Sequence, residues 1–138
     1  MATVIGLMGE TGSGKTTSIR ELNPDSTYYI NADGKKVLLP GFKSKYNRSK
    51  KNYKSTSNVK DIKNLIEIIS KKAPHIKVII VDTVNAIMLD DEMARMRDKG
   101  YDKWVNLASS IYDLINFCNK EINDEVYIVL MFHEETFL

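Results

Sequence analysis

A single cysteine, Cys118, leaves this chain no way to form an internal disulfide, a zinc knuckle or a redox pair. Its place on an apolar helical stripe predicts a buried thiol with no chemistry of its own. No apolar run approaches the roughly 18 residues that a membrane span requires. Ala2 to Met8 is apolar but lacks a basic flank and runs into a glycine-rich turn, which excludes a secretory signal. These absences, with 43% hydrophobic and 28% charged residues, predict a soluble, cytoplasmic protein with no membrane partner. A length of 138 residues fits one domain, 1–138.

Acidic residues are also missing from one place. Between Lys35 and Lys60 there are nine Lys or Arg and no Asp or Glu, whereas the remainder carries eleven basic and eighteen acidic side chains. The overall charge of +2 therefore hides a basic segment on an acidic body. Lys35, Lys36, Lys43, Lys45, Arg48, Lys50, Lys51, Lys54 and Lys60 interleave there with Phe42, Tyr46 and Tyr53. Lysines neutralise phosphates and aromatic rings stack on bases, so the composition fits single-stranded nucleic acid. It equally fits a solvated, mobile loop.

Periodicity orders the chain into alternating strands and helices. Thr3 to Met8 is apolar and β-branched without polar alternation, and reads as a buried strand. A helix from about Gly14 to Leu22 follows and stops at Asn23-Pro24, and Thr27 to Asn31 is the second strand. Residues 32–57 hold Gly34, Pro40 and Gly41 and read as an extended basic excursion, with a small strand at Val37 to Leu39. Val59, Ile62, Ile66 and Ile69 share one face of a helix capped by Ser57 or Asn58 and ending before Pro74. Ile76 to Asp82 is a strand, 84–99 is irregularly helical, and 102–120 is a helix with Trp104, Leu107, Ala108, Ile111, Ile115 and Cys118 on its stripe. Val126 to Phe132 is the last strand. Such alternation predicts an α/β domain, three-layered and mainly parallel, with right-handed crossovers.

The stretch "GLMGETGSGKTTSIRE" satisfies G-x-x-x-x-G-K-[ST] at Gly9, Gly14, Lys15 and Thr16, between a strand and a helix start. Glycines at 9, 12 and 14 let successive backbone N–H groups converge on one oxygen cluster, facing the positive end of the helix. Phosphate suits that geometry, with Gly9, Glu10, Thr11, Gly12, Ser13, Gly14, Lys15, Thr16 and Thr17 as the cradle. Lys15 would reach the β and γ phosphates, and the Thr16 hydroxyl would join a Mg²⁺ shell. Asp82 is the only acid of "VIIVDT" and stands at the strand's carboxyl end, where ligands collect in parallel sheets, so it either holds Mg²⁺ or caps the next helix. No N-K-x-D stretch for guanine is present, since "NKEIND" fails the spacing, which favours ATP over GTP.

In that order and spacing, "GETGSGKTT", "YYINAD", "VIIVDTVNAI" and "VYIVLMF" resemble the RecA-like P-loop ATPases. With "LPGF" after the second strand, the chain is similar to phage-encoded AAA/RecA-type ATPases of DNA recombination and single-strand annealing. The resemblance implies a strand order of 1-4-3-2, with Thr3 to Met8 on an open edge. It implies that the domain lacks C-terminal strands by truncation, or that a neighbouring subunit of a ring or filament covers that edge. It also implies ATP and Mg²⁺ as cofactors, single-stranded DNA as partner through Lys43, Lys45, Arg48, Lys50, Lys51 and Tyr53, and the host bacterial cytoplasm as location.

The family's water-polarising glutamate falls at Asp33, which is shorter by one methylene and is also half of an Asp-Gly turn pair. His133 falls at the family's γ-phosphate sensor, or is a surface residue. Arg95 and Arg97 would serve as a finger toward a neighbour's nucleotide, as lid residues of a kinase, or as a charged helix face. Three functions follow: an ATPase acting on DNA, a nucleoside or nucleotide kinase, and a nucleotide-binding module with negligible turnover.

Overall fold

The computed structural model describes residues 3–9, 21–34, 41–84, 86–87, 100–122 and 125–133. Five strands form one parallel sheet: β1 (Thr3–Gly9), β2 (Thr27–Asn31), β3 (Tyr53–Ser55), β4 (Val78–Asp82) and β5 (Tyr127–His133), in the order β1-β5-β4-β2-β3. The described residues include helices α1 (Phe42–Lys45), α2 (Val59–Lys72) and α3 (Gly100–Glu121), and a 3-10 turn at Pro24–Ser26 before β2. The order differs from the expected four-strand sheet by β3, which lies inside the basic segment and extends the sheet beyond β2. The expected strand at Val37 to Leu39, the helix following the glycine turn and most of 84–99 lie outside the described residues. No described helix is long and apolar enough to cross a membrane.

Both faces are covered at the central strands β2 and β4, which is why these read as continuous apolar runs; β1, expected to be buried, lies at the sheet edge, where Thr3, Ile5 and Gly6 are exposed. Ile30, Ile79, Val81, Ile128 and Leu130 point to one side, where they meet Ile62, Ile66 and Ile69 of α2 and Leu114 and Cys118 of α3. Their alternates Tyr29, Ile80 and Met131 point to the other, where Phe42 and Tyr46 of the basic segment pack beside Leu22. The seam of α3 runs through Leu114 and Cys118 with Ile111, Ile115 and Phe117 partly buried beside it, so Leu114 replaces Ile115 as its centre. Burial pushes the Cys118 thiol up to about 11, against the opposing pull of Lys63.

Helix α2 shows how local chemistry sets an element's ends. The Asn58 side chain accepts hydrogen bonds from the backbone N–H groups of Lys60 (3.0 Å) and Asp61 (3.1 Å), satisfying two donors that the first turn leaves open. Asp61 in the first turn and Lys71 and Lys72 in the last complement the helix dipole, and Pro74 follows the end. Asn58→Ala should therefore cost about 1 kcal/mol. For a domain of this size that is a fall of roughly 3 °C in Tm, measured by thermal unfolding; an unchanged Tm would show that the cap contributes nothing.

Candidate functional site

All strands of a parallel sheet end on the same side, and here that side collects the carboxylates. Gly9 ends β1 in register with His133 of β5, and Asp82 ends β4 in register with Met131 of β5 and Asn31 of β2. Only β5 lies between the end of β1 and that of β4, so Gly9 and Asp82 end strands that are two strand spacings apart, roughly 10 Å.

Asp82 is half-buried and held from β2. Tyr29 pairs with Ile80, and Asp82 is two residues further along the same face, within diagonal reach of a long side chain. The Tyr29 hydroxyl donates a hydrogen bond to Asp82 Oδ2. Burial and then the charge of Asp82 push the Tyr29 phenol far above its ordinary value, so it stays a neutral donor. The Tyr29 ring is fixed in turn by Phe42 (edge-on, centroids 5.0 Å apart), Tyr46 (6.0 Å) and Tyr53 (stacked, 6.1 Å).

Asp33 is brought to the same place by the turn after β2. The backbone N–H groups of Ala32 and Asp33 donate to the Asp82 carbonyl at 2.7 and 3.3 Å. Buried Thr83 donates its hydroxyl to Asp33 Oδ1 at 3.2 Å. The turn itself is made by Asn31, whose Oδ1 accepts from the Gly34 N–H at 3.0 Å, with Gly34 at φ 70° where a side chain would be strained. The Asp-Gly pair is thus a turn, but the Asp33 carboxylate does not close it. The two carboxylates are cross-held: the first by a tyrosine of the neighbouring strand, the second by a threonine following the first.

Glu10, Thr11, Gly12, Ser13, Gly14, Lys15, Thr16 and Thr17 lie outside the described residues, as do Arg95 and Arg97. His133 is the last residue of β5, at the same sheet edge, and its side chain lies outside the described part. Among the described residues no group of three or more His, Cys, Asp or Glu could hold a metal. The half-buried Asp82 carboxylate is the kind of single ligand that suits Mg²⁺, which is commonly held by one or two carboxylates together with substrate phosphates and water. Asp82 would hold the ion with Thr16.

The basic segment is not the loop its composition predicts. Residues 42–45 form a turn of helix, 53–55 pair with β2, and buried Asn52 ties the parts together. Its Nδ2 donates to the carbonyls of Pro24 (3.2 Å) and Lys45 (2.7 Å), and its Oδ1 accepts from the Asn47 N–H (3.0 Å). Phe42 and Tyr46, read as base-stacking rings, are buried in the core instead. Tyr53 lies against Tyr29, and its hydroxyl accepts from Asn31 Nδ2 at 3.0 Å. Lys43, Arg48, Lys50, Lys51 and Lys54 are exposed and Lys45 is half-buried, so the cations face outward while the rings face in.

Tyr29, Thr83, Asn31 and Asn52 were not foreseen as site residues. In "TYYIN" nothing separates Tyr29 from Tyr28 until strand pairing shows which of the two faces Asp82. A family model described as an AAA domain matches residues 1–137. A search of curated proteins finds no match.

Proposed function

The chain belongs to the AAA domain family, and on that premise we propose that it is a Mg²⁺-dependent ATPase acting on single-stranded DNA in phage recombination or replication. The observation that carries the reading is the meeting of Asp82 and Asp33 at the carboxyl edge of the sheet, with only β5 between Asp82 and the end of β1. Backbone N–H groups of residues 9–14 and the Lys15 ammonium would bind the phosphates, and Asp82 and Thr16 would hold the ion. Mg²⁺, when bound, neutralises charge that develops on the transferring phosphoryl group. Asp33 accepts one hydrogen bond from Thr83 and keeps further lone pairs with which to orient a water molecule.

DNA recognition rests on charge. With Phe42 and Tyr46 buried, base stacking falls away as their contribution, leaving phosphate contacts by Lys43, Lys45, Arg48, Lys50, Lys51 and Lys54. Phe42 and Tyr46 anchor this segment on the face that carries Tyr29, whose hydroxyl reaches Asp82. If all six cations contact phosphates, log affinity for single strands should fall against log salt with a slope of about −4.

The deciding measurement is phosphate release from Mg-ATP with and without single-stranded DNA, with Lys15→Ala as the blank. Release that rises with DNA and vanishes in the variant is expected. Bound ATP without release would make the chain a nucleotide-binding module, and transfer of phosphate to a nucleoside or nucleotide would make it a kinase. A flat salt response would remove the electrostatic account of DNA binding.

A further inference from the structure

Tyr29 is a buried polar side chain whose only polar atom is aimed at a carboxylate. It is 0% exposed, its ring lies among Phe42, Tyr46 and Tyr53, and its hydroxyl reaches across from β2 to Asp82 Oδ2 on β4. A tyrosine that served packing alone could be a phenylalanine here, because the three neighbouring rings contact the aromatic face and edge. What the hydroxyl adds is direction: it occupies one acceptor site of Oδ2 and so selects which carboxylate orientation persists.

We propose that Tyr29 is a positioning residue, whose hydroxyl sets the orientation in which Asp82 meets the divalent cation. This rests on the reading of Asp82 as a metal ligand. Groups that hydrogen-bond to a metal-holding carboxylate orient it, and their loss commonly lowers metal affinity by about 10- to 100-fold. The Tyr29 ring is clamped by rings of the basic segment, so the orientation of Asp82 depends on how residues 42–53 are packed. Thr83 donates to Asp33 Oδ1 in the corresponding way.

The test is Mn²⁺ binding in the presence of a non-hydrolysable ATP analogue, followed by the paramagnetic resonance signal of free Mn²⁺. Wild type would be compared with Tyr29→Phe, Asp82→Asn and Tyr46→Phe, each checked for thermal unfolding. Tyr29→Phe should bind Mn²⁺ about tenfold more weakly, Asp82→Asn more weakly still, and Tyr46→Phe like wild type. Weaker binding in Asp82→Asn with unchanged binding in Tyr29→Phe would overturn the positioning role and leave Asp82 as a ligand. Unchanged binding in both would overturn the assignment of Asp82 itself and the positioning role with it. Equal losses in Tyr29→Phe and Tyr46→Phe would also overturn it, by showing that removal of any hydroxyl from the aromatic cluster acts through packing.

Discussion

Asp82→Asn should lower ATP hydrolysis by about 10²- to 10³-fold while leaving the fold intact. The size follows from a weakened hold on the Mg²⁺ that stabilises the transferring phosphoryl group, where loss of one preorganised electrostatic contact is commonly worth that factor. Specificity follows from shape. Asparagine keeps the side chain's length and an oxygen that can still accept the Tyr29 hydrogen bond, and the Asp82 carbonyl that receives Ala32 and Asp33 is untouched. The substitution removes the negative charge and turns one acceptor oxygen into an NH2 donor. Phosphate release under saturating Mg-ATP measures the loss, and thermal unfolding of the same sample checks the fold. Near-normal turnover would mean that Asp82 carries no part of the chemistry. Loss of turnover together with collapse of the fold would mean that the residue is structural.

Ile66→Ala is expected to destabilise the protein by about 2–5 kcal/mol. Ile66 is 0% exposed on the inner face of α2, against the sheet face that carries Ile30, Ile79 and Val81. Truncation removes buried methyl and methylene groups and leaves a cavity that a rigid helix-on-sheet packing can only partly close. In a domain of this length the loss corresponds to roughly 7–17 °C in Tm. Ile68 supplies the comparison, since it lies on the same helix but is 51% exposed. Ile68→Ala should stay within about 0.5 kcal/mol of the parent. Thermal unfolding of the two variants side by side tests the orientation of the helix, and equal effects would refute it.

The readings that survived contact with the structure are those whose cause is local. The amphipathic stripe of α2 has one explanation at a period of 3.6, and the structure starts it at Asn58 because that side chain can reach two free N–H groups. The apolar runs at 27–31 and 78–82 read as strands buried on both faces and are so in the structure, whereas β1, read as buried, lies at the sheet edge with Ile5 42% exposed. The basic segment reads as an extended loop in the sequence for an equally physical reason. Its rings, Phe42, Tyr46 and Tyr53, sit among lysines with no period that separates inward from outward positions. What orders them is Asn52 and the face of β2, both distant in their effect from the residues they hold.

From the sequence by itself came the α/β alternation, the glycine turn with Lys15 and Thr16, the acid at the end of the Asp82 strand, and the concentration of cations in one segment. Each depends on spacing within a few residues, which the chain carries wherever it folds. Tertiary structure alone decided that Tyr29 rather than Tyr28 meets Asp82, that Thr83 holds Asp33, and that the aromatic rings of the basic segment belong to the core. Those outcomes depend on the register between β2 and β4 and on which sheet face a residue occupies. A shift of one residue in that register would turn every side chain of β2 to the opposite face. No pattern within either strand encodes which of those registers is formed; the packing of both faces together selects it.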